Sequence, residues 1–133
     1  MTVFLDSNVA MYAAGSAHAH KDPSLRLLQQ AQDNAIELVT STEVLQEILH
    51  RYHRLDRPDV ATEVYQLITD LCRTILPVTV ADTDAAVRLL GHHATSVRDA
   101  LHVAVMVGHG VDTIATFDTG FDAFPEVSRL VPH

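Results

Sequence analysis

Thr2-Val3-Phe4-Leu5-Asp6-Ser7-Asn8 is the stretch on which the reading of this chain turns. Val3, Phe4 and Leu5 form an apolar run with no polar face, as a strand covered by helices on both sides requires. The run ends in an acid, and Asp6, Ser7 and Asn8 all favour the N-cap of a helix. A buried strand passing straight into a helix opens a βαβ unit, and the same alternation recurs downstream. Residues 2–6, Ile36 to Val39, Ile75 to Val80 and Thr113 to Phe117 read as buried strands, with a weaker fifth near Arg129 to Val131. Helical periodicity fills the intervals at residues 21–33, 42–54, 59–73, 83–92 and 97–108. Pro58 suits the start of a helix, and Gly108 with Gly110 the end of one. The expected fold is α/β, a three-layer α/β/α sandwich around a central, mostly parallel sheet of four to five strands, built by right-handed crossovers.

The 133 residues fit one domain, 1–133, large enough to bury roughly two thirds of its unfolded surface. Hydrophobic residues at 47 % and charged ones at 20 % argue against a disordered chain. No segment approaches a membrane span. The first apolar run lacks the basic flank and cleavage site of a signal peptide, so a cytoplasmic protein is expected. Cys72 is the single cysteine, which rules out an internal disulfide; its place beside Val64, Leu67, Ile68 and Leu71 makes it a buried helix residue without a catalytic role. Charge says more. Lys21 and eight arginines oppose seventeen acids, for a net charge of −8, softened slightly below pH 7 by nine histidines. Backbone binding to nucleic acid is usually driven by Lys and Arg. The balance suits better a chain that binds divalent cations or docks on a basic partner.

Four acids stand at element junctions: Asp6 and Asp118 after strands, Glu43 and Asp99 at helix starts. Each has a structural explanation. Asp6 can cap a helix, Glu43 lies three residues after Thr40 and Asp99 three after Ser96 as in capping boxes, and Asp118 precedes Gly120 as a turn residue does. Their shared location is what points to chemistry, because ligands of open α/β sheets gather beyond the carboxyl ends of the strands. Carboxylates gathered there raise one another's pKa unless a cation neutralises them, and oxygen donors without a nearby lysine imply Mg²⁺ or Mn²⁺. Asp122 could add a ligand if residues 119–124 make a helical turn, but reads more readily as a solvated turn residue. His92, His93, His102 and His109 lack the paired spacing of a zinc site, although His102 lies three residues after Asp99 and so near its helix face.

Val3-Phe4-Leu5-Asp6-Ser7-Asn8, Ser41-Thr42-Glu43-Val44-Leu45-Gln46-Glu47, Arg98-Asp99-Ala100-Leu101-His102 and Ala115-Thr116-Phe117-Asp118-Thr119-Gly120-Phe121 together resemble the PIN-domain family, and more narrowly its VapC-type toxins. The resemblance covers essentially the whole chain. It implies a Mg²⁺- or Mn²⁺-dependent endoribonuclease, the toxin of a type II toxin–antitoxin pair, with Asp6, Glu43, Asp99 and Asp118 as catalytic metal ligands and Ser7, Asn8 and Thr116 as flanking polar positions. It also implies an RNA substrate, a cognate antitoxin and a homodimer. Metal-activated water would then attack phosphorus in line. The basic segment His50 to Arg57 reads either as the solvated end of a helix or as a contact for RNA or antitoxin through Arg51, Tyr52 and Arg54. Two other classes compete: a PIN fold that has lost catalysis and only binds, and a phospho-accepting receiver domain. The receiver is weakened because Lys21 is the only lysine, whereas receivers use one late in the chain.

Overall fold

The computed structural model describes residues 1–93 and 95–133. The elements run β1 (Thr2–Leu5), α1 (Ser7–Ala14), α2 (Lys21–Gln32), β2 (Glu37–Ser41), α3 (Thr42–Arg54), α4 (Pro58–Leu71), β3 (Thr74–Leu76), α5 (Val80–His92), α6 (Val97–Gly108), β4 (Thr113–Ala115), a 3₁₀ turn (Thr119–Ala123) and β5 (Ser128–Leu130). The five strands form one parallel sheet in the order β3-β2-β1-β4-β5. The expected sandwich is therefore present, with the weak fifth strand as its edge.

β1 occupies the centre because its residues tolerate no solvent: Val3, Phe4 and Leu5 are fully buried. Phe4 pairs with Val39 on one side and Ile114 on the other. Helices α1 to α4 pack among themselves, and α5 packs on α6. Right-handed crossovers place these two groups on opposite faces, since the chain steps outward from β1 to β3 and then returns across the sheet to β4. The strand order thus reverses between β1 and β4. That reversal opens a crevice at their carboxyl ends, the usual seat of a ligand in such sheets.

Several expected boundaries differ by one to four residues. The third strand ends at Leu76 instead of running to Val80, because Pro77 offers no N–H for the ladder. Val80 instead opens α5, which Thr79 and Asp82 cap reciprocally. The fourth strand stops at Ala115, so that Thr116 turns its hydroxyl to Asp6 at the crevice and Phe117 stacks on His20. Pro58 does open α4, and Gly110 follows α6 with φ of 69°, a left-handed conformation that suits glycine. Among the described residues, no helix is long and apolar enough to cross a membrane.

Candidate active site

The crevice holds a pocket of about 630 Å³ whose walls include Asp6, Glu47, Asp99, His102 and Asp118. Its floor is the junction of β1 with α1. Asp6 is 5 % exposed and caps α1 by accepting the Ser7 N–H at 2.8 Å on Oδ1. Its Oδ2 accepts the Thr116 hydroxyl at 2.8 Å and the Asn8 amide at 3.3 Å. Thr116 in turn accepts from Asn8 Nδ2 and from the Asp118 N–H, both at 3.0 Å, so its one donor and two lone pairs are all used. The three residues that compete for one cap position therefore divide the work. Asp6 caps, Asn8 ties α1 to the segment after β4, and Ser7 donates to Glu47 Oε2 at 2.9 Å.

Glu43, expected in this constellation, does not line the pocket; Glu47 takes that place. The capping box counted from Thr40 is not formed, because the Thr40 hydroxyl donates to the Leu5 carbonyl at 2.8 Å and the N-cap of α3 is Ser41. Glu43 is left half-buried in the first turn, whereas Glu47, one turn later, falls on the buried face with Val44 and Ile48. The one sequence signal that could have found Glu47 is an acid set inside the apolar stripe of an amphipathic helix, and it was missed. Glu47 Oε1 meets His102 Nε2 at 2.5 Å and lies 3.8 Å from Arg98 Nε.

His102 is 1 % exposed, with the rings of Phe4 and Phe121 beside it. Burial alone lowers its pKa, but the hydrogen bond and charge of Glu47, followed by Asp6 and Asp99, turn the net shift upward. Asp6, Glu47 and His102 each offer a ligand atom within 4.8 Å of the others, the one such group among the described residues. The remaining three histidines do not join it.

The opposite wall comes from α6 and the segment after β4. Ser96 caps α6 by accepting the Asp99 N–H at 3.1 Å, which places Asp99 in the first turn. Asp118 caps the 3₁₀ turn by accepting the Gly120 N–H at 2.8 Å. A Cβ on Gly120 would stand 2.9 Å from Asp99 Oδ2 and 3.0 Å from Asp118 Oδ1, so glycine lets the backbone pass against both carboxylates. Burial raises the pKa of Asp6, with Glu47 adding to it; burial and then the charges of Asp118 and Asp6 raise that of Asp99.

Asp122 stands outside. It forms a two-pronged pair with Arg129 at 2.8 and 3.0 Å, and that hydrogen bond holds its carboxyl below the usual range. Of the basic segment, Arg51 lines the pocket, whereas Tyr52 packs on the core and burial raises the pKa of its hydroxyl.

The family model of the PIN domain matches residues 3–127. Ribonuclease VapC13 of Mycobacterium tuberculosis is 40 % identical to this chain over 129 residues, covering 96 % of this chain and 98 % of the relative. Among solved structures, VapC20 of Mycobacterium tuberculosis, a sarcin–ricin loop cleaving toxin, has a TM-score of 0.76 at 24 % identity, covering 94 % of this chain and 98 % of that one. A toxin–antitoxin complex from Klebsiella pneumoniae has a TM-score of 0.68 at 13 % identity, covering 98 % of both chains. These two likenesses are likenesses of fold.

Proposed function

The chain belongs to the PIN-domain family, and from that premise we propose that it is a metal-dependent endoribonuclease, the toxin of a type II toxin–antitoxin pair. The observation that carries this reading is the convergence of Asp6, Glu47, Asp99 and Asp118 on one pocket at the reversal of strand order. The name of VapC13 supplies the substrate class, RNA.

The donor set fits Mg²⁺ or Mn²⁺. Carboxylate oxygens are the ligands those hard ions take, and a cation there would offset the burial that raises the pKa of Asp6 and Asp99 and the charge that Asp118 adds at Asp99. Asp6, Glu47, Asp99 and Asp118 would hold the ion; Asp122, tied to Arg129, would not. When bound there, a divalent ion supplies charge to a phosphoryl oxygen and acidifies water for attack on phosphorus. The chain's own part is positioning. Thr116, Asn8 and the Ser7 N–H fix Asp6, while Ser7 and His102 fix Glu47. Asp99 or Asp118, less enclosed, would orient the water.

Two partners complete the reading. A cognate antitoxin, present in the Klebsiella pneumoniae neighbour, would dock on the α3–α4 hairpin, where Leu49, Leu55 and Tyr65 are exposed. A second copy would cover α5, whose Val80 and Val87 lie seven residues apart on one face and are 77 % and 69 % exposed. Antitoxin-free protein should cut RNA with Mg²⁺ or Mn²⁺, stop in EDTA and resume when metal is restored. Metal binding without cutting under any of these conditions would leave a PIN fold that only binds.

A further inference from the structure

Sharing Ser7, Glu47, Arg51 and Arg98 with the wall of the acidic pocket is a second depression of about 160 Å³, bounded also by His50 and Arg54. Glu47, His50, Arg51 and Arg54 stand at positions i, i+3, i+4 and i+7 of α3, a single stripe. The stripe runs from acid to base over seven residues, about 10 Å of helix. Arg98 faces it from the first turn of α6, immediately before Asp99. The two helices that present Glu47 and Asp99 thus also present cations.

Of these cations Arg51 and Arg54 are available, whereas Arg98 Nε lies 3.8 Å from Glu47 Oε1. Elsewhere Arg57 pairs with Asp59, Arg73 with Glu37 and Arg129 with Asp122, while Arg26 bonds the His133 carbonyl. Among the described residues, Arg51 and Arg54 have no acidic partner within 4.0 Å; Arg88 has none either, but it lies in a cleft shared with Asp82 and Glu126. Unneutralised guanidinium groups beside an acidic pocket, in a chain of net charge −8, concentrate positive potential where an anionic ligand must enter. The depression offers no aromatic platform, since Tyr52 turns to the core, so it suits phosphate and not base. The exposed apolar Leu49 lies two residues from Glu47, roughly opposite it around α3, which separates this face from the one suited to protein docking.

We propose that His50, Arg51 and Arg54, with Arg98 across from them, form a phosphate track that grips the RNA backbone to one side of the scissile bond, independently of sequence. This rests on the ribonuclease reading above. The track has length for about two or three phosphates at the ~3.4 Å rise of a stacked strand.

The test compares wild type, Arg51→Ala/Arg54→Ala and, as a control at the amino end of the sheet, Arg73→Ala, using a fluorescein-labelled single-stranded RNA oligonucleotide. Binding is read by anisotropy in EDTA, cleavage with Mn²⁺ across a salt series, and Mn²⁺ affinity by calorimetry. The double variant should bind RNA at least ~10-fold more weakly, with a salt slope shallower by about 1.4 for two lost single-strand contacts. Its rise in KM should exceed its fall in kcat, and its Mn²⁺ affinity should match wild type. Arg73→Ala should keep the wild-type slope. Unchanged RNA affinity and slope in the double variant would overturn the track. So would unchanged RNA binding together with lost inhibition by the antitoxin, which would assign the arginines to the protein partner. Failure of wild type to cut would sink the ribonuclease reading, while the EDTA binding arm would still decide the track.

Discussion

The two halves of the acidic pocket are built differently. On the β1 side, Asp6 and Glu47 are buried, and all four of their carboxylate oxygens accept a hydrogen bond from Ser7, Asn8, Thr116 or His102. On the other side, Asp99 is half-buried and Asp118 exposed, held mainly by the starts of α6 and the 3₁₀ turn. Burial dominates the pKa shift of Asp6; for Asp99 the neighbouring charge of Asp118 is the next cause. The difference suggests a division between an immobile half that sets where a cation sits and an open half that can adjust to water and substrate.

Removing charge from the fixed half should have the largest effect. Asp6→Asn is expected to lower single-turnover RNA cleavage by ~10³-fold or more, on the scale lost when a group that stabilises charge in a transition state is removed. The same variant should melt within a few degrees of wild type in EDTA, because relief of a buried charge is offset by an amide nitrogen facing the Thr116 hydroxyl and Asn8 amide, both donors. A drop of many degrees in EDTA would make Asp6 chiefly structural. On the open half, Gly120→Ala places a methyl against both carboxylates. Cleavage should fall about 10- to 100-fold, with a melting shift well below that of a core substitution. If the loss equals that of Asp6→Asn, the two halves are equally rigid and the contrast fails.

His102 tests whether the fixed half is held from behind. His102→Gln should weaken Mn²⁺ binding, measured by titration, by roughly 10-fold, the scale of losing a group that orients a ligand. Unchanged affinity would show that Ser7 alone fixes Glu47.

The pH dependence of stability follows from the same groups. Asp6 and Asp99 have raised pKa values in the fold, so the folded state takes up their protons first and their ionisation costs stability as pH rises. The raised pKa of His102 adds stability that is present below its ordinary value of 6.5 and lost as pH climbs through the folded value. Both act in one direction. Metal-free protein should melt at progressively lower temperature from about pH 5 to pH 8. Saturating Mg²⁺ or Mn²⁺ at 100 times Kd should return about 3 kcal/mol, roughly 10 °C. A melting temperature that rises with pH in EDTA would contradict the assigned shifts.

The smallest expected effect concerns Glu43, and it shows what could be read from sequence. The strand-and-helix alternation was legible because buried strands leave an uninterrupted apolar mark, as in Val3 to Leu5 and at Ile114 and Ala115. That Asp6, Asp99 and Asp118 meet at one pocket was legible because each follows a strand or opens a helix, positions fixed by local chemistry. Glu47 was not, because its role depends on which face of α3 meets the sheet and on Ser7 and His102, 40 and 55 residues away in sequence. Glu43 looked better placed only while Thr40 was taken as the cap, and the Thr40 hydroxyl is bound to Leu5 instead. Replacing each glutamate in turn separates local from tertiary logic: Glu43→Gln should cut RNA within about twofold of wild type, because Glu43 does not line the pocket and substitutions away from a site usually leave it intact, whereas Glu47→Gln should approach the loss seen with Asp6→Asn. Equal losses at both positions would mean that α3 presents its first turn to the metal after all, and the buried half of the pocket would have to be redrawn around Glu43.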